Sequence, residues 1–301
     1  LSISIFSILK NLKDEVWLKV EPRYDKNVEV LIPLYKEECK SIEKTVNSIL
    51  NQNYNKELLK VIMIVEMNDS NTENCAKKAC ETLNKNGIKA SVFVRNKKRS
   101  SKAAALNDTL IYVKSDIIVV YDADDEIMDN EQIGKGVSLI SKGYDAVGVK
   151  VLRVGESITQ TLSYIDTFFW INVSLPGITK ISGYPLLSGE GLFVSKKVLE
   201  KIGGFPDSLT EDSMLTVEFA KNNLKIGLLD SVVYENSPKK LRSLVKQRIR
   251  WHRGYAQCFV KTLKSKIPAK LKIVLAISYT SPISLIVIAF SLIYIFYYLI
   301  L

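Results

Sequence analysis

The sequence predicts an α/β protein built on a doubly wound, mostly parallel sheet. Two short runs, at residues 59–65 and 117–121, are apolar apart from Lys60, as strands buried on both faces of a sheet are. Patterns typical of helices lie between such runs, and this alternation favours a doubly wound sheet. Ligands of these sheets bind at the carboxyl ends of the strands.

The predicted elements follow one another regularly through the first half of the chain. After about residue 145 the pattern is less regular, although residues 161–175 are poor in charge and predict a helix against a membrane surface. Residues 241–263 predict a basic amphipathic helix of the kind that lies among lipid headgroups. The remaining predictions are strands at 28–33, 59–65, 90–95 and 117–121 and helices at 41–50, 72–84, 103–112 and 213–222.

Two acidic clusters, at residues 66–69 and 122–125, follow predicted strands. In the second cluster Asp122, Asp124 and Asp125 stand together, and carboxylates this close repel each other unless a cation holds them. Oxygen ligands suit Mg²⁺ or Mn²⁺, which bridge to phosphate oxygens. The alternative is an acidic turn that caps the next helix, because Asp is common in turns.

Two further motifs carry polar groups suited to chemistry. Thr210, Glu211 and Asp212 precede a predicted helix, where they form either an N-terminal cap or a site with a catalytic carboxylate. Gln247 and Arg250 share one helix face. Arg suits a diphosphate, and the neighbouring Trp251 offers a stacking face for a sugar. The alternative for this second motif is a helix whose Arg and Trp side chains meet the membrane interface.

The net charge of +10 is concentrated in one part of the chain. Twelve Lys and Arg lie between Lys239 and Lys272, and the rest of the chain carries 30 basic and 32 acidic residues. A nearly neutral body argues against a nucleic-acid-binding protein. The basic block instead precedes 29 uncharged residues from Ile273 to Leu301, which are long enough to span a bilayer. A basic segment beside a span marks the cytosolic side.

These features divide the chain into four parts. The chain opens with Leu and ends within an apolar run, so we expect it to be part of a longer protein. The four parts are an apolar or interfacial segment at 1–24, a catalytic domain at 25–235, a basic interfacial region at 236–270 and a transmembrane segment at 271–301, with the span beginning near Ser281.

The cysteines and the single histidine give no metal-site pattern. No two of the four cysteines form a CxxC pair, so we expect free thiols in a reducing cytosol. His252 is expected to face solvent or lipid.

Taken together, the motifs resemble those of family 2 glycosyltransferases. Asp69, Asp122-Ala123-Asp124, Thr210-Glu211-Asp212 and Gln247-x-x-Arg250-Trp251 occur in the order seen in that family. The branch resembled contains cellulose, chitin and hyaluronan synthases. Residues 33–37, 102–107 and 189–205 also look like stretches of this family, and the resemblance covers about 28–254.

The resemblance implies a GT-A type fold and a role for each matched residue. Asp212 is the expected general base, and Asp122 and Asp124 are expected to hold Mg²⁺ or Mn²⁺. Trp251 and Glu211 are expected at the acceptor. The donor is expected to be a UDP-sugar, the commoner choice in the family. The residues expected to bind it are Tyr35, Glu37, Glu66, Asp69, Lys102, Asp122, Gln247 and Arg250.

The sequence departs from the family pattern in two places. Lys36 stands where Asn is usual, and the stretch at residues 66–70 aligns poorly with the nucleotide motif, which leaves the base preference open. Processive polysaccharide synthesis and transfer of one sugar to a lipid both fit the motifs. A non-catalytic protein that binds anionic lipid or nucleic acid is the third reading.

Overall fold

The computed structural model describes residues 15–97 and 101–280. Within them the chain forms one sheet in the order β3-β2-β1-β4-β7-β6-β8-β5. The strands are β1 (Val28–Leu34), β2 (Leu59–Val65), β3 (Lys89–Val94), β4 (Ile117–Val120), β5 (Glu126–Ile127), β6 (Ala146–Val154), β7 (Leu192–Ser195) and β8 (Ile226–Asn236).

Helices cover both faces of the sheet, and a π-helical turn, Trp170–Ser174, links two of them. The helices are α1 (Cys39–Leu50), α2 (Ser70–Lys85), α3 (Lys102–Leu110), α4 (Gln132–Ser141), α5 (Ile158–Phe169), α6 (Leu175–Ser182), α7 (Lys196–Ile202), α8 (Glu211–Lys221), α9 (Leu241–Lys264) and α10 (Ala269–Tyr279).

The first half of the sheet agrees with the sequence prediction. Strands β1, β2, β3 and β4 pair in parallel. The chain runs outward from β1 to β3 and then returns to β4 on the other side of β1, so the order of strands switches between β1 and β4. A crevice at such a switch is where doubly wound sheets bind ligands.

The second half of the sheet was missed from the sequence. Strand β7 runs antiparallel to β4 and β6, and β5 antiparallel to β8, so four of the seven neighbouring pairs are parallel. The sheet is mixed. The strands were missed because β6 and β8 carry charges that interrupt their apolar runs; Lys150 and Arg153 of β6 pair with Asp230 and Glu235 of β8.

Three groups of buried side chains hold these layers together. One lies between the sheet and helices α1 and α2, and the second fills the opposite face under α3, α7 and α8. The third packs α9 and α10 onto the domain around Trp17, Cys258 and Leu275. Trp17 also donates a hydrogen bond from Nε1 to the carbonyl oxygen of Ile171 at 3.0 Å. The basic helix is therefore packed onto the same folded unit as the sheet.

The predicted membrane segments fall mostly outside the described residues. The apolar opening at 1–14 and the span beginning near Ser281 both lie there. Across 15–97 and 101–280, none of the helices combines the length and the apolar character that a membrane crossing needs.

The expectation of four free thiols was wrong. Cys39 at the start of α1 and Cys75 in α2 form a disulfide, with their Cα atoms 5.0 Å apart, a normal separation for such a bond. The two helices lie side by side on one face of the sheet, which a spacing of 36 residues could not reveal. Cys80 and Cys258 are buried free thiols.

A pair of hydrogen bonds from Asn107 fixes the loop before α8. Asn107 Nδ2 donates to the Phe205 carbonyl oxygen, and the Phe205 N–H donates to Asn107 Oδ1, each at 2.7 Å. Gly204 has a φ of +92°, and a Cβ there would press against the Asn107 amide. The loop and α3, which carries Lys102, are thus held in one arrangement.

We expect Asn107→Ala to lower the free energy of unfolding by about 2–3 kcal/mol, because two buried backbone groups lose their partner. Urea denaturation would measure the change. Asn86→Ala is the matched control, since Asn86 makes one exposed hydrogen bond, and a loss as small as that of the control would contradict the assigned role of Asn107.

Candidate active site

A cavity of about 660 Å³ lies between the sheet, α8 and α9. It gathers residues that are far apart in the sequence, from the ends of strands and the starts of helices. Six residues predicted from the sequence line it: Lys102, Asp122, Glu211, Asp212, Arg250 and Trp251.

The acidic loop after β4 is packed tightly. Asp125 is fully buried, and its Oδ2 accepts a hydrogen bond from the Asp122 N–H at 2.8 Å. Burial raises the pKa of Asp124 to about 6, and the charge of Asp122 adds to the effect. Asp125 therefore shapes the loop, and Asp122 and Asp124 are its two chemically available carboxylates.

Lys102, at the start of α3, is a cation placed among these acids. Its Nζ lies 2.5 Å from Asp122 Oδ1 and 3.5 Å from Glu211 Oε1. Burial alone would lower the pKa of this ammonium, but Asp122, Glu211 and Glu190 outweigh it, and the pKa lies well above its ordinary value. Lys102 is therefore a permanent positive charge in the site.

The carboxylates of the acidic loop suit a divalent cation that also binds phosphate. The described part of the chain contains no group of three His, Cys, Asp or Glu side chains placed to hold a metal by themselves. Mg²⁺ is usually bound by one or two carboxylates together with substrate phosphates, and Asp122 and Asp124 supply that number. Burial also raises the pKa of nearby Glu37 to about 7, with Asp124 and Asp122 adding to it, so additional positive charge here would be favourable.

Asp212 is the second residue of α8 and lies in the wall of the cavity. Burial raises its pKa to about 7, and the charges of Glu211 and Glu190 act in the same direction. The Thr210 hydroxyl contacts Cys258 Sγ at 3.8 Å instead of capping the helix. A carboxylate with this pKa can take up a proton near neutral pH.

Helix α9 is pressed against the start of α8. A Cβ at Gly254 would overlap the side chain of Thr210, so only glycine allows this approach. Gln257 Oε1 accepts hydrogen bonds from Ser208 Oγ and from the Leu209 N–H. Arg250, one turn before Gly254, donates to the Leu209 carbonyl oxygen at 3.2 Å. This packing brings Arg250, which is predicted to bind the diphosphate, to the same cavity as Asp212, the predicted base.

The other two residues of this motif, Trp251 and Gln247, differ in their position relative to the cavity. The Trp251 ring has the guanidinium carbons of Arg153 and Arg248 each 4.5 Å from its centre. Gln247 lies outside the cavity lining formed by the described residues, and its Oε1 is buried. Arg248 in turn pairs with Asp166 of α5 at 2.6 Å.

The predicted nucleotide-binding residues lie at the ends of β1 and β2. The Lys36 N–H donates to Asp69 Oδ2 at 2.6 Å, and the Glu37 N–H donates to Thr72 Oγ1 at 3.1 Å. Lys36 adopts a left-handed φ of 55°, and its Nζ lies 5.3 Å from the centre of the Tyr35 ring. Asp69 thus fixes the loop that carries Tyr35 and Glu37.

Glu66 differs from the other predicted donor residues because it has a strong partner. Its two oxygens accept hydrogen bonds of 2.6 and 2.8 Å from Arg95 Nη1, and both side chains are buried. The same guanidinium binds Asp108. The ion pair between Glu66 and Arg95 therefore has a structural role.

Three cavity residues were not assigned from the sequence. Arg153 from the end of β6 is 8% exposed, and Glu190 is the acid in a Gly-Glu-Gly run. The only advance signals were a charge within an apolar strand and an acid between two glycines. His252 also lines the cavity as a half-buried side chain, a position that the sequence did not predict. Burial, followed by the charge of Arg248, lowers its pKa.

The chain is similar in sequence to known proteins. The family profile described as "Glycosyltransferase like family 2" matches residues 25–254. A probable glycosyltransferase of Bacillus subtilis, YdaM, is 26% identical over 250 residues, which are 81% of this chain and 59% of that protein. The beta-monoglucosyldiacylglycerol synthase of Synechocystis is 26% identical over 167 residues, 53% of this chain and 34% of the relative. The chain thus spans well under two thirds of either protein.

Solved structures share the fold. The mannosyltransferase PcManGT from Pyrobaculum calidifontis, in complex with GDP-Man and Mn²⁺, superposes with a TM-score of 0.71 at 23% identity, covering 92% of this chain and 76% of its own. TarS from S. aureus, in complex with UDP-GlcNAc, gives 0.58 at 16% identity, covering 84% and 71%. The likeness confirms the predicted GT-A-like sheet. With the profile match over most of the chain, it follows that this protein belongs to glycosyltransferase family 2.

Proposed function

We propose that this glycosyltransferase adds sugars from a nucleotide-sugar donor, with UDP as the preferred nucleotide, to a growing polysaccharide at the cytosolic face of the cell membrane. The observation that carries the proposal is the shared cavity. It places a carboxylate with a raised pKa, Asp212, together with Lys102, Asp122 and Arg250. This combination offers a base for an acceptor hydroxyl and positive charge for a leaving diphosphate.

The chain's own residues account for the two halves of the transfer. Asp212 accepts the proton of the acceptor hydroxyl as that oxygen attacks the anomeric carbon. Lys102 and Arg250 hold the departing diphosphate, and their fixed positive charges stabilise the charge that develops on it. A bound Mg²⁺ or Mn²⁺, held by Asp122 and Asp124, would supply further positive charge to the same diphosphate. With one base and no enzyme nucleophile, the product is inverted at the anomeric carbon.

Exposed apolar side chains support the proposed membrane association. Ile158, Leu162, Ile165 and Phe169 form a stripe along α5 at helical spacing, with exposures of 45% to 83%. Leu241, Val245 and Ile249 form a second stripe on α9. Such stripes suit the boundary between headgroups and acyl chains.

The two stripes belong to neighbouring helices, because Arg248 of α9 pairs with Asp166 of α5. Exposed basic residues on α9, Arg242, Lys246 and Arg253, suit anionic headgroups and a cytosolic orientation. The Cys39–Cys75 disulfide counts against a cytosolic location, since disulfides are rare in reducing compartments.

A lipid is the second candidate acceptor. The relative named beta-monoglucosyldiacylglycerol synthase favours it, as does a membrane-facing surface beside the cavity. No role in binding nucleic acid is proposed, because the excess of basic over acidic residues is confined to the region of α9 and α10, while the rest of the chain carries 30 basic and 32 acidic residues.

A donor screen tests the proposal. We expect membrane-embedded protein to release nucleoside diphosphate from one UDP-sugar with Mg²⁺ or Mn²⁺, and to lose that activity in EDTA. GDP-sugars are screened in parallel because a structural neighbour binds GDP-Man. Sizing the product distinguishes a long glycan from a lipid carrying one sugar. Folded protein that releases nothing from any donor would overturn the proposed function.

We expect Asp212→Asn to keep donor affinity and lose transfer by a factor of about 10²–10⁴, the usual contribution of a general base. Asp124→Ala should lose both, because the donor's metal ligand is gone. Donor titration and product formation measure the two effects separately. Asp116→Asn, an exposed change on the far side of β4, is the matched control. Near-normal turnover in Asp212→Asn would disprove its assignment as the base.

The pKa of Asp212 also predicts a pH dependence. The base must be deprotonated, and its pKa is raised to about 7. We therefore expect kcat/KM for the acceptor to fall about tenfold per pH unit below that value, since this parameter reports the free enzyme. Glu37→Gln distinguishes Asp212 from Glu37, whose pKa is also raised to about 7. The acidic limb should persist in Glu37→Gln, and a limb that disappears would assign the titration to Glu37.

A further inference from the structure

Three polar side chains that the proposed transfer does not use lie beside Asp212 in the cavity wall. They are Arg153, Glu190 and His252. Each comes from a different element: the end of β6, the loop before β7 and the middle of α9. A shared position next to the base is where an acceptor must sit.

Glu190 is held in place by its neighbouring glycines. A Cβ on Gly189 would lie 3.3 Å from Glu211 Oε1 and 3.7 Å from the Asp212 Cβ. Gly191 has a φ of +62°, and a Cβ there would overlap Val149. The backbone of the loop is thus packed against both the base and the sheet, and the loop presents the Glu190 carboxylate to the cavity.

Arg153 connects this carboxylate to Trp251. Its Nη2 lies 3.4 Å from Glu190 Oε1 and 2.7 Å from Glu235 Oε2, and its guanidinium carbon is 4.5 Å from the centre of the Trp251 ring. Carboxylate, guanidinium and aromatic ring therefore lie side by side.

Two polar atoms in this group lack partners. Arg153 Nε and His252 Nδ1 are buried, and neither has a hydrogen-bond partner among the described residues. Buried polar groups are nearly always hydrogen bonded, so each exception requires an explanation. The position of the cavity suggests one explanation, which is a polar ligand whose binding repacks these side chains.

We propose that Arg153, Glu190 and His252 bind the sugar ring of the acceptor, so that the acceptor is a saccharide with free neighbouring hydroxyls and not a lipid alcohol without sugar. The inference rests on the proposed function and deepens it, because it names the class of acceptor. Glu190 would accept hydrogen bonds from ring hydroxyls, Arg153 would donate to the hydroxyl oxygens of the same ring, and His252 would donate or accept through Nδ1.

The chemistry of the two acceptor classes decides between them. A sugar ring offers several hydroxyls at once, and a site built to hydrogen-bond hydroxyls discriminates strongly against a ligand that lacks them. A lipid alcohol offers only the reacting hydroxyl and leaves the remaining polar groups unpaired. Apolar side chains such as Ile171 and Leu187 also line the cavity, and they fit either a C–H face of a sugar or an alkyl chain.

Steady-state kinetics on the full chain in detergent test the proposal. The donor is the one that gives nucleoside diphosphate release, and the acceptor probes are p-nitrophenyl glycosides and diacylglycerol in mixed micelles. We expect a glycoside to be the better acceptor by at least tenfold in kcat/KM. Glu190→Gln should raise the glycoside KM at least tenfold and change kcat less, while calorimetric binding of the nucleoside diphosphate stays within twofold.

Glu235→Gln is the matched control, because Glu235 shares Arg153 with Glu190 but lies outside the cavity lining of the described residues. Its glycoside KM should stay within twofold of wild type. Arg153→Lys, followed by thermal unfolding, provides a second variant if Glu190→Gln is unstable, and it should also raise the glycoside KM.

Diacylglycerol as the better acceptor, an unchanged KM in Glu190→Gln or an equal rise in Glu235→Gln would each overturn the proposal. These results differ from failure of the proposed function, in which wild-type protein releases no nucleoside diphosphate at all.

Discussion

The balance of charge around Lys102 is the constraint on which the rest of the site depends. Carboxylates from three parts of the chain, Asp122, Glu190 and Glu211, surround one ammonium. Because the group is buried, the surplus of negative charge raises the pKa of neighbouring acids instead of being screened by water. The resting site therefore has a deficit of positive charge. Its architecture suits a donor that arrives with a cation, and Lys102 keeps the acids together until then.

This balance also explains why two acids of similar sequence context differ in character. Asp125 accepts a hydrogen bond from the Asp122 N–H and is buried inside the loop, whereas Asp124 remains chemically available. Glu66 is similarly sealed by Arg95. In each case the hydrogen-bonding neighbour decides whether a carboxylate is structural or reactive.

Much of the fold and part of the site could be predicted from the sequence, for identifiable reasons. Strands β1, β2 and β4 are mostly apolar runs that are buried in the sheet, so a local window of sequence contains the information that defines them. Strands β6 and β8 were missed because the charges of Lys150 and Arg153 are compensated by partners some 80 residues away. The disulfide, the placement of His252 and the position of Glu190 likewise depend on contacts between distant elements, which no local pattern records. The acids and the motif that contains Arg250 were assigned to one site because a family resemblance links them.

The contact between Gly254 and Thr210 has a consequence for how the site can vary. Since α9 is anchored there, Arg250 reaches the cavity from one turn away, about 6 Å along the axis. Insertion of a single residue between the two would rotate the guanidinium by ~100° about the helix and remove it from the cavity. Loops elsewhere in the domain can lengthen freely, but this interval can change only by substitution. The spacing between the base and the arginine that binds the diphosphate can thus change only by whole helical turns. A donor of different size would have to be accommodated by the opposite wall of the cavity.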